Sequence, residues 1–194
     1  HKKLILMHSG NLYGKRTIEP LIRSLKMLSD TERDNIQVVL AGYLDDNNSQ
    51  LIVDSDLKCI STLGSVSASE SYKLQRESDI LISIDKPLEE PIDKVFLPSK
   101  IQDYIAARKY ILAFTGFGSA SYNTVHNRYG MCFDHNKPED AAEFLRNAIN
   151  AFNKRDSSFF LIAEPDSRFE ADHNTKRLFE KFKMLSGLKQ QPIS

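Results

Sequence analysis

The sequence predicts an α/β fold, a parallel sheet with helices over both faces. Three observations carry this. Short runs such as KLILMHS, IQVVLA and DILISI are apolar on both faces, as strands of a covered parallel sheet must be. Stretches with apolar residues at helical spacing alternate with those runs. Glycines close several of the strands, where a chain must turn sharply.

The elements follow in order. Lys3 to Ser9 is a buried strand ending at Gly10, and Thr17 to Leu28 is a helix with Ile18, Leu21, Ile22, Leu25 and Leu28 on one side. Pro20 falls in its first turn, where a missing N–H costs little. Ile36 to Ala41 is a second strand, closed by Gly42. A short helix is expected within Asp45 to Asp56, and a short strand over Lys58 to Leu63. Ser67 to Arg76 is a helix with Ser67 and Glu70 at capping-box spacing. Asp79 to Ile84 is a buried strand, and Asp85 to Leu97 a long loop with two prolines and an acidic run. Ser99 to Arg108 is a helix starting after Pro98, and Tyr110 to Phe114 a strand. Gly116 and Gly118 mark a turn before a short helix, Ser119 to Asn127, and a short strand, Met131 to Phe133. Pro138 opens a long helix with Ala141, Phe144, Leu145, Ala148 and Ile149 on one face. A final helix is expected over Phe169 to Leu185, with a frayed tail after Gly187. The whole reads as a Rossmann-like sheet, residues 1–194 forming one domain.

The bulk numbers narrow the function. Twenty-six basic residues balance 26 acidic ones, so the net basic field of a general nucleic-acid binder is absent. Cys59 and Cys132 lie in apolar runs and read as buried, reduced thiols. His8, His126, His135 and His173 lack zinc-ligand spacing, so no metal is expected. No segment reaches the length of a membrane span. A chain that opens inside a strand reads as an excised fragment, with His1 as a tag remnant.

In open parallel sheets ligands bind beyond the carboxyl ends of the strands. Two loops occupy that edge. In HSGNLYGKR, His8 to Arg16, Gly10 and Gly14 permit close backbone approach, and Lys15 and Arg16 add positive charge. The same residues equally suit a plain strand–helix turn. No G-x-G-x-x-G follows the first strand and no G-x-x-x-x-G-K-[ST] occurs, which disfavours a dinucleotide or P-loop site. GFGSAS, Gly116 to Ser121, lacks the third glycine. The stronger loop is FLPSKIQDYIAARKYILAF, Phe96 to Phe114. Pro98 and Ser99 begin a helix there, and free N–H groups at a helix start favour phosphate. Ser99 offers a hydroxyl, Lys100 a charge, and Asp103 an acceptor for sugar hydroxyls. An ordinary Ser cap with solvated Lys100 and Asp103 fits the same residues. Glu89, Glu90 and Asp93 read as a solvated acidic surface, and Tyr13, Tyr104, Tyr110 and Tyr122 as core or rim packing.

Taken in order, these segments resemble the C-terminal, donor-binding half of GT-B glycosyltransferases of the retaining family 4 type. The resemblance runs from HSGNLYGKRTIEPLIRSL through LGSVSASESYKL, SDILISI and FLPSKIQDYIAARKYILAF to GFGSASYNTVHNRYGMCFDHNKPEDAAEFL. It implies one lobe of a GT-B fold, binding a nucleotide-diphosphate sugar without a cofactor or metal. Asn11 and Arg16 match positions where the family carries an Arg and a Lys on the donor diphosphate. Lys100 matches the phosphate-side loop together with Pro98 and Ser99, and Gly10 the opening turn. Arg16 and Lys100 are thereby the residues expected to serve catalysis. Asp103 matches the second acid of the paired-Glu motif, on the ribose. Gly64, Ser65 and Val66 match the base-side turn.

The departures are specific. Val95 stands where the first acid of the pair is expected, Arg108 replaces the usual Gly, Tyr110 the usual Pro, and Asn11 an Arg. The resemblance implies sugar transfer, with an N-terminal acceptor half outside this chain, so the fragment alone is expected to be inactive. It further implies a role in polysaccharide, lipopolysaccharide or glycolipid synthesis. With that go a cytoplasmic location, at the inner membrane for the full-length protein, and a membrane-linked acceptor. A binding module that has lost catalysis and an epimerase-like GT-B relative are the competing expectations.

Overall fold

A computed structural model describes residues 2–167 and 171–186. The chain divides into two compact units, His1–Ala163 and Glu164–Ser194. The first unit holds the strands β1 (Leu4–Ser9), β2 (Ile36–Ala41), β3 (Ile60–Gly64), β4 (Ile80–Ile84), β5 (Tyr110–Phe114) and β6 (Gly130–Phe133). They form one sheet in the order β3-β2-β1-β4-β5-β6, parallel throughout.

The helices are α1 (Glu19–Lys26), α2 (Asp30–Asp34), α3 (Asp46–Ser55), α4 (Ala68–Glu77), α5 (Lys100–Ala106), α6 (Ala120–Val125) and α7 (Pro138–Asn153). α1 packs on α3 and α7, whereas α4 and α5 meet β1 and β4. Right-handed crossovers place helices on opposite faces when the chain moves in opposite directions across the sheet. The core joins Leu4, Leu6 and Val38 of the sheet to Leu21 and Leu25 of α1 and Leu145 of α7. Every residue of β4 is buried, which is why DILISI is apolar on both faces. The second unit contains α8 (Ala171–Ser186); the expected start at Phe169 and the tail after Gly187 lie outside the described residues.

The departures from expectation have local causes. β3 begins at Ile60 rather than Lys58, because residues 57–60 form a turn closed by Ile60 N–H to Leu57 C=O. α2 escapes the periodicity because it buries no residue. Its signal is the capping box Ser29-x-x-Glu32, with both reciprocal bonds made. At α4 only half of the expected box forms: Ser67 Oγ accepts the Glu70 N–H at 3.2 Å. The long loop holds a 3-10 turn, Pro91–Val95. Asp93 is no surface acid: it is buried, accepts the N–H groups of Glu89 and Glu90 at 3.1 Å, and pairs with Lys86. Those bonds hold its carboxyl down at about 2, with the Lys86 hydrogen bond the largest cause.

α5 ends earlier than expected, and Arg108 just beyond it has φ +54°. That left-handed position is the one where the resemblance expects Gly. Tyr110, where it expects Pro, stacks on Phe144 and Phe159, with centroids at 5.5 and 6.3 Å. This aromatic cluster ties β5 to α7. Cys59 and Cys132 are buried free thiols.

Candidate functional site

The strand order reverses beside β1: β2 lies on one side of it and β4 on the other. Loops leaving the two strands therefore diverge at their carboxyl ends and leave a crevice, the usual ligand position of an open α/β sheet. The loop after β1 and the start of α5 meet there.

The loop after β1 is built by close backbone approach. Gly10 (φ +121°) and Gly42 (φ +145°) face each other so tightly that a Cβ on Gly42 would overlap the Gly10 carbonyl. Gly10 N–H donates to Ala41 C=O, and Gly42 N–H to Gly64 C=O, each at 2.8 Å. Asn11 Oδ1 accepts the Tyr43 N–H at 3.0 Å, and Asp45 Oδ2 accepts the Gly14 N–H at 2.9 Å. The ends of β1, β2 and β3 are thus laced into one edge. Asn11, placed where the resemblance expects a diphosphate contact, spends its side-chain oxygen on that lacing.

α5 is anchored beneath this edge by Tyr104. Its buried hydroxyl accepts the Ser9 N–H at 2.9 Å and donates to Ile82 C=O at 3.2 Å. Lys100 then projects over β1. Its Nζ lies 3.2 Å from His8 Nε2, and 3.0 Å from where a Cβ on Gly10 would sit. Gly10 therefore leaves the space that the ammonium fills. Arg16 lies close enough for its charge to act on Lys100, with its guanidinium over the rings of Phe96 (5.1 Å) and Tyr13 (5.9 Å). Burial, then the neighbouring Arg16 charge, bring the Lys100 amine down to about 8, while Asp85 opposes the shift. Two cations gathered in one crevice favour an anionic ligand.

Ser99 itself does not cap the helix. It is helical (φ −56°, ψ −34°), exposed, and makes no side-chain cap bond. Ile101 and Gln102 N–H turn back to the carbonyls of Pro98 and Ser99, so fewer amides face outward than a bare helix start offers. The positive character of this edge rests on Lys100 and Arg16 more than on helix amides. Pro98 is buried.

The carboxylates are arranged differently from the expectation. Val95 is 70% exposed at the end of the 3-10 turn. Asp103 is partly buried, and burial raises its carboxyl above the ordinary value. Asp85, at the end of β4, is buried; Oδ2 accepts the Thr115 hydroxyl at 2.8 Å, and Oδ1 has no hydrogen-bond partner among the described residues.

The structure thus brings Gly10, Arg16 and Lys100 together. Gly64, Ser65 and Val66 sit at the end of β3, two strands from β1, roughly 10 Å along the edge. Sequence reasoning missed His8, Phe96, Tyr104 and Asp85. For His8 the signal was present: a polar residue in an otherwise apolar buried strand needs a reason. The other three required the tertiary fold. Two clefts of about 680 and 430 Å³ open at the opposite, amino edge of the sheet. One is lined by Lys3, Arg33 and Lys58, the other by Asp79, Phe152 and Phe160. Among the described residues no group of three or more His, Cys, Asp or Glu side chains is placed to hold a metal ion.

No protein-family model and no curated protein sequence matches the chain. Solved structures do. A glycosyltransferase from Rickettsia africae ESF-5 superposes with a TM-score of 0.70 at 16% identity, over 97% of this chain and 49% of that one. HepE of Anabaena, solved in complex with UDP, superposes with a TM-score of 0.63 at 16% identity, over 96% of this chain and 50% of its own. The structural neighbours are GT-B glycosyltransferases. The fold is that of one GT-B lobe. The C-terminal domain of LpcC, a glycosyl transferase group 1 family protein from Francisella tularensis, also matches this GT-B lobe. Its TM-score is 0.56 at 15% identity, over 80% of this chain and 77% of that one. The chain spans about half the length of the Anabaena and Rickettsia proteins.

Proposed function

We propose that the chain is the donor-binding lobe of a glycosyltransferase, holding a nucleotide-diphosphate sugar along the carboxyl edge of the sheet. The observation that carries this is the convergence of Arg16 and Lys100 at the β1–β4 crevice in a chain with the GT-B lobe fold. The diphosphate lies against these two cations. The nucleoside runs toward Gly64–Val66, with Asp103 on the ribose. HepE has been solved with UDP and with UDP-glucose, which supports a nucleotide sugar as the ligand class.

In the reaction, the bond from the sugar's anomeric carbon to the diphosphate breaks and a bond to an acceptor hydroxyl forms. The diphosphate departs with the electron pair, and the acceptor's O–H bond breaks, its proton passing to the departing diphosphate. Fixed positive groups stabilise charge that develops on a leaving group, and that is the role of Arg16 and Lys100. No metal enters this scheme. The acceptor, a polysaccharide, lipopolysaccharide or glycolipid precursor, belongs to a second lobe beyond this chain, at the cytoplasmic face of a membrane. One observation favours a second reading, a binding module without transfer: exposed Val95 supplies no carboxylate at the expected place.

The test pairs two measurements. Calorimetric titration of UDP, GDP, ADP and their sugars into the chain is expected to show one preferred nucleotide. Sugar transfer by a protein carrying both lobes then separates enzyme from module. No binding of any nucleotide at millimolar concentration overturns the reading; binding without transfer selects the module.

A further inference from the structure

We propose that His8 is the positioning residue of this site: a neutral imidazole, protonated on Nδ1, that accepts a hydrogen bond from Lys100 and holds its ammonium over Gly10. Anion binding there is consequently linked to the protonation of Lys100. The proposal rests on the donor-site reading above.

Both ring nitrogens of His8 are committed. Nδ1 lies 3.0 Å from Ile82 C=O; a carbonyl only accepts, so Nδ1 carries the hydrogen. Nε2 is then the bare nitrogen of a neutral ring, and Lys100 Nζ donates to it across 3.2 Å. The two residues lie 92 positions apart in the chain, so the pair exists only through the docking of α5 on β1. Its geometry is fixed at both ends. His8 is fully buried within β1. Lys100 is held by the anchorage of Tyr104, whose hydroxyl shares the Ile82 carbonyl with His8.

The electrostatics keep His8 neutral and Lys100 poised. Burial first, and Lys100 second, hold the imidazole well below its ordinary value. The charged groups facing Lys100 are Arg16 and Asp85, and those facing His8 are Lys100 and Arg16. Tyr104 is the remaining titratable neighbour, its phenol pushed well up by burial. With the Lys100 amine near 8, an empty site begins to lose its charge just above neutrality. An arriving dianion favours the ammonium, so the Lys100 amine takes up part of a proton on binding. A histidine placed only to fill space would leave the Lys100 midpoint unmoved when its acceptor nitrogen is removed.

The experiment titrates the 194-residue chain with UDP and, separately, with inorganic sulfate, from about pH 6.5 to about pH 9.5 at constant ionic strength. Sulfate keeps its charge across that range, so its profile reports the protein. Amide shifts of Gly10 and Lys100 give the affinity, and calorimetry in buffers of different protonation heat gives proton uptake. Both ligands are expected to weaken as pH rises through about 8, by at most about tenfold per unit. His8→Phe removes the acceptor while Tyr104 still serves Ile82. It should lower that midpoint and weaken binding about tenfold near pH 7. His8→Gln, which restores an acceptor, should recover most of the loss. Lys100→Met, which leaves His8 in place, should abolish the pH dependence. A flat wild-type profile, or a His8→Phe midpoint and affinity equal to wild type, overturns the proposal. UDP bound with a flat profile leaves the donor reading standing. Sulfate following the profile while UDP binds no better than sulfate leaves the positioning role standing and removes the nucleotide. If neither ligand binds, both fall.

Discussion

Tyr104, on the buried side of α5, accepts the Ser9 N–H at 2.9 Å although the two lie 95 positions apart in the chain. This bond docks the helix carrying Lys100 onto the strand carrying His8. Tyr104→Phe keeps the ring and removes the hydroxyl. Ile82 C=O retains His8 as a donor, while the Ser9 N–H is left without its partner. Leaving a buried donor unsatisfied costs about 1–3 kcal/mol. Chemical denaturation should show that loss, and UDP affinity should fall with it.

Arg108 predicts a gain. Its φ of +54° is a left-handed conformation at the end of α5, which costs a residue with a Cβ roughly 1 kcal/mol relative to glycine. Arg108→Gly relieves that strain but adds freedom to the unfolded chain. The expected net effect is a stabilisation of roughly 0.5 kcal/mol, read as a small rise in the melting temperature. A fall instead would mean that the Arg108 side chain contributes more than its backbone costs.

Stability should decline on the acid side through His8. Its folded-state value is held well below the ordinary 6.5, chiefly by burial. Above about pH 6.5 the imidazole is neutral in both states. Below that, the unfolded chain takes up a proton that the folded site resists, so unfolding becomes easier as pH falls. Denaturation midpoints between about pH 7 and about pH 5 should show this loss, at most about 1.4 kcal/mol per unit from this group. His8→Phe should flatten its share of the slope.

Arg16 and Phe96 should separate in a binding series. Arg16→Ala removes a cation from the diphosphate and should weaken UDP by about tenfold or more, with little effect on uridine. Phe96→Ala leaves the cation but removes the ring beneath it. Such a contact is worth about 0.5–1 kcal/mol at an exposed site, so a loss of roughly two- to fivefold in UDP affinity is expected. Equal losses for UDP and uridine would displace Arg16 from the diphosphate.

Much of the fold was legible in the sequence for a physical reason. Strands buried on both faces, such as IQVVLA and YILAF, announce themselves by composition, and β2 and β5 occupy those residues end to end. α2 was not legible by periodicity because it has no apolar face, and only the Ser29–Glu32 box marks it. In the site, Arg16 and Lys100 were readable as cations beside glycine-rich and proline-led turns. Their convergence was not, because it depends on strand order. The acidic loop misled for a related reason: Asp93 looks solvated until its partners Glu89, Glu90 and Lys86 are seen around it.

Amide chemical shifts in solution map where UDP lies on the chain. Saturating UDP is expected to perturb Gly10–Arg16, Gly64–Val66 and Ser99–Asp103 together, and uridine to reproduce only the Gly64–Val66 and Asp103 parts. Perturbation confined to the amino-edge clefts around Lys3 and Lys58 or Asp79 and Phe160, or no perturbation, would contradict it.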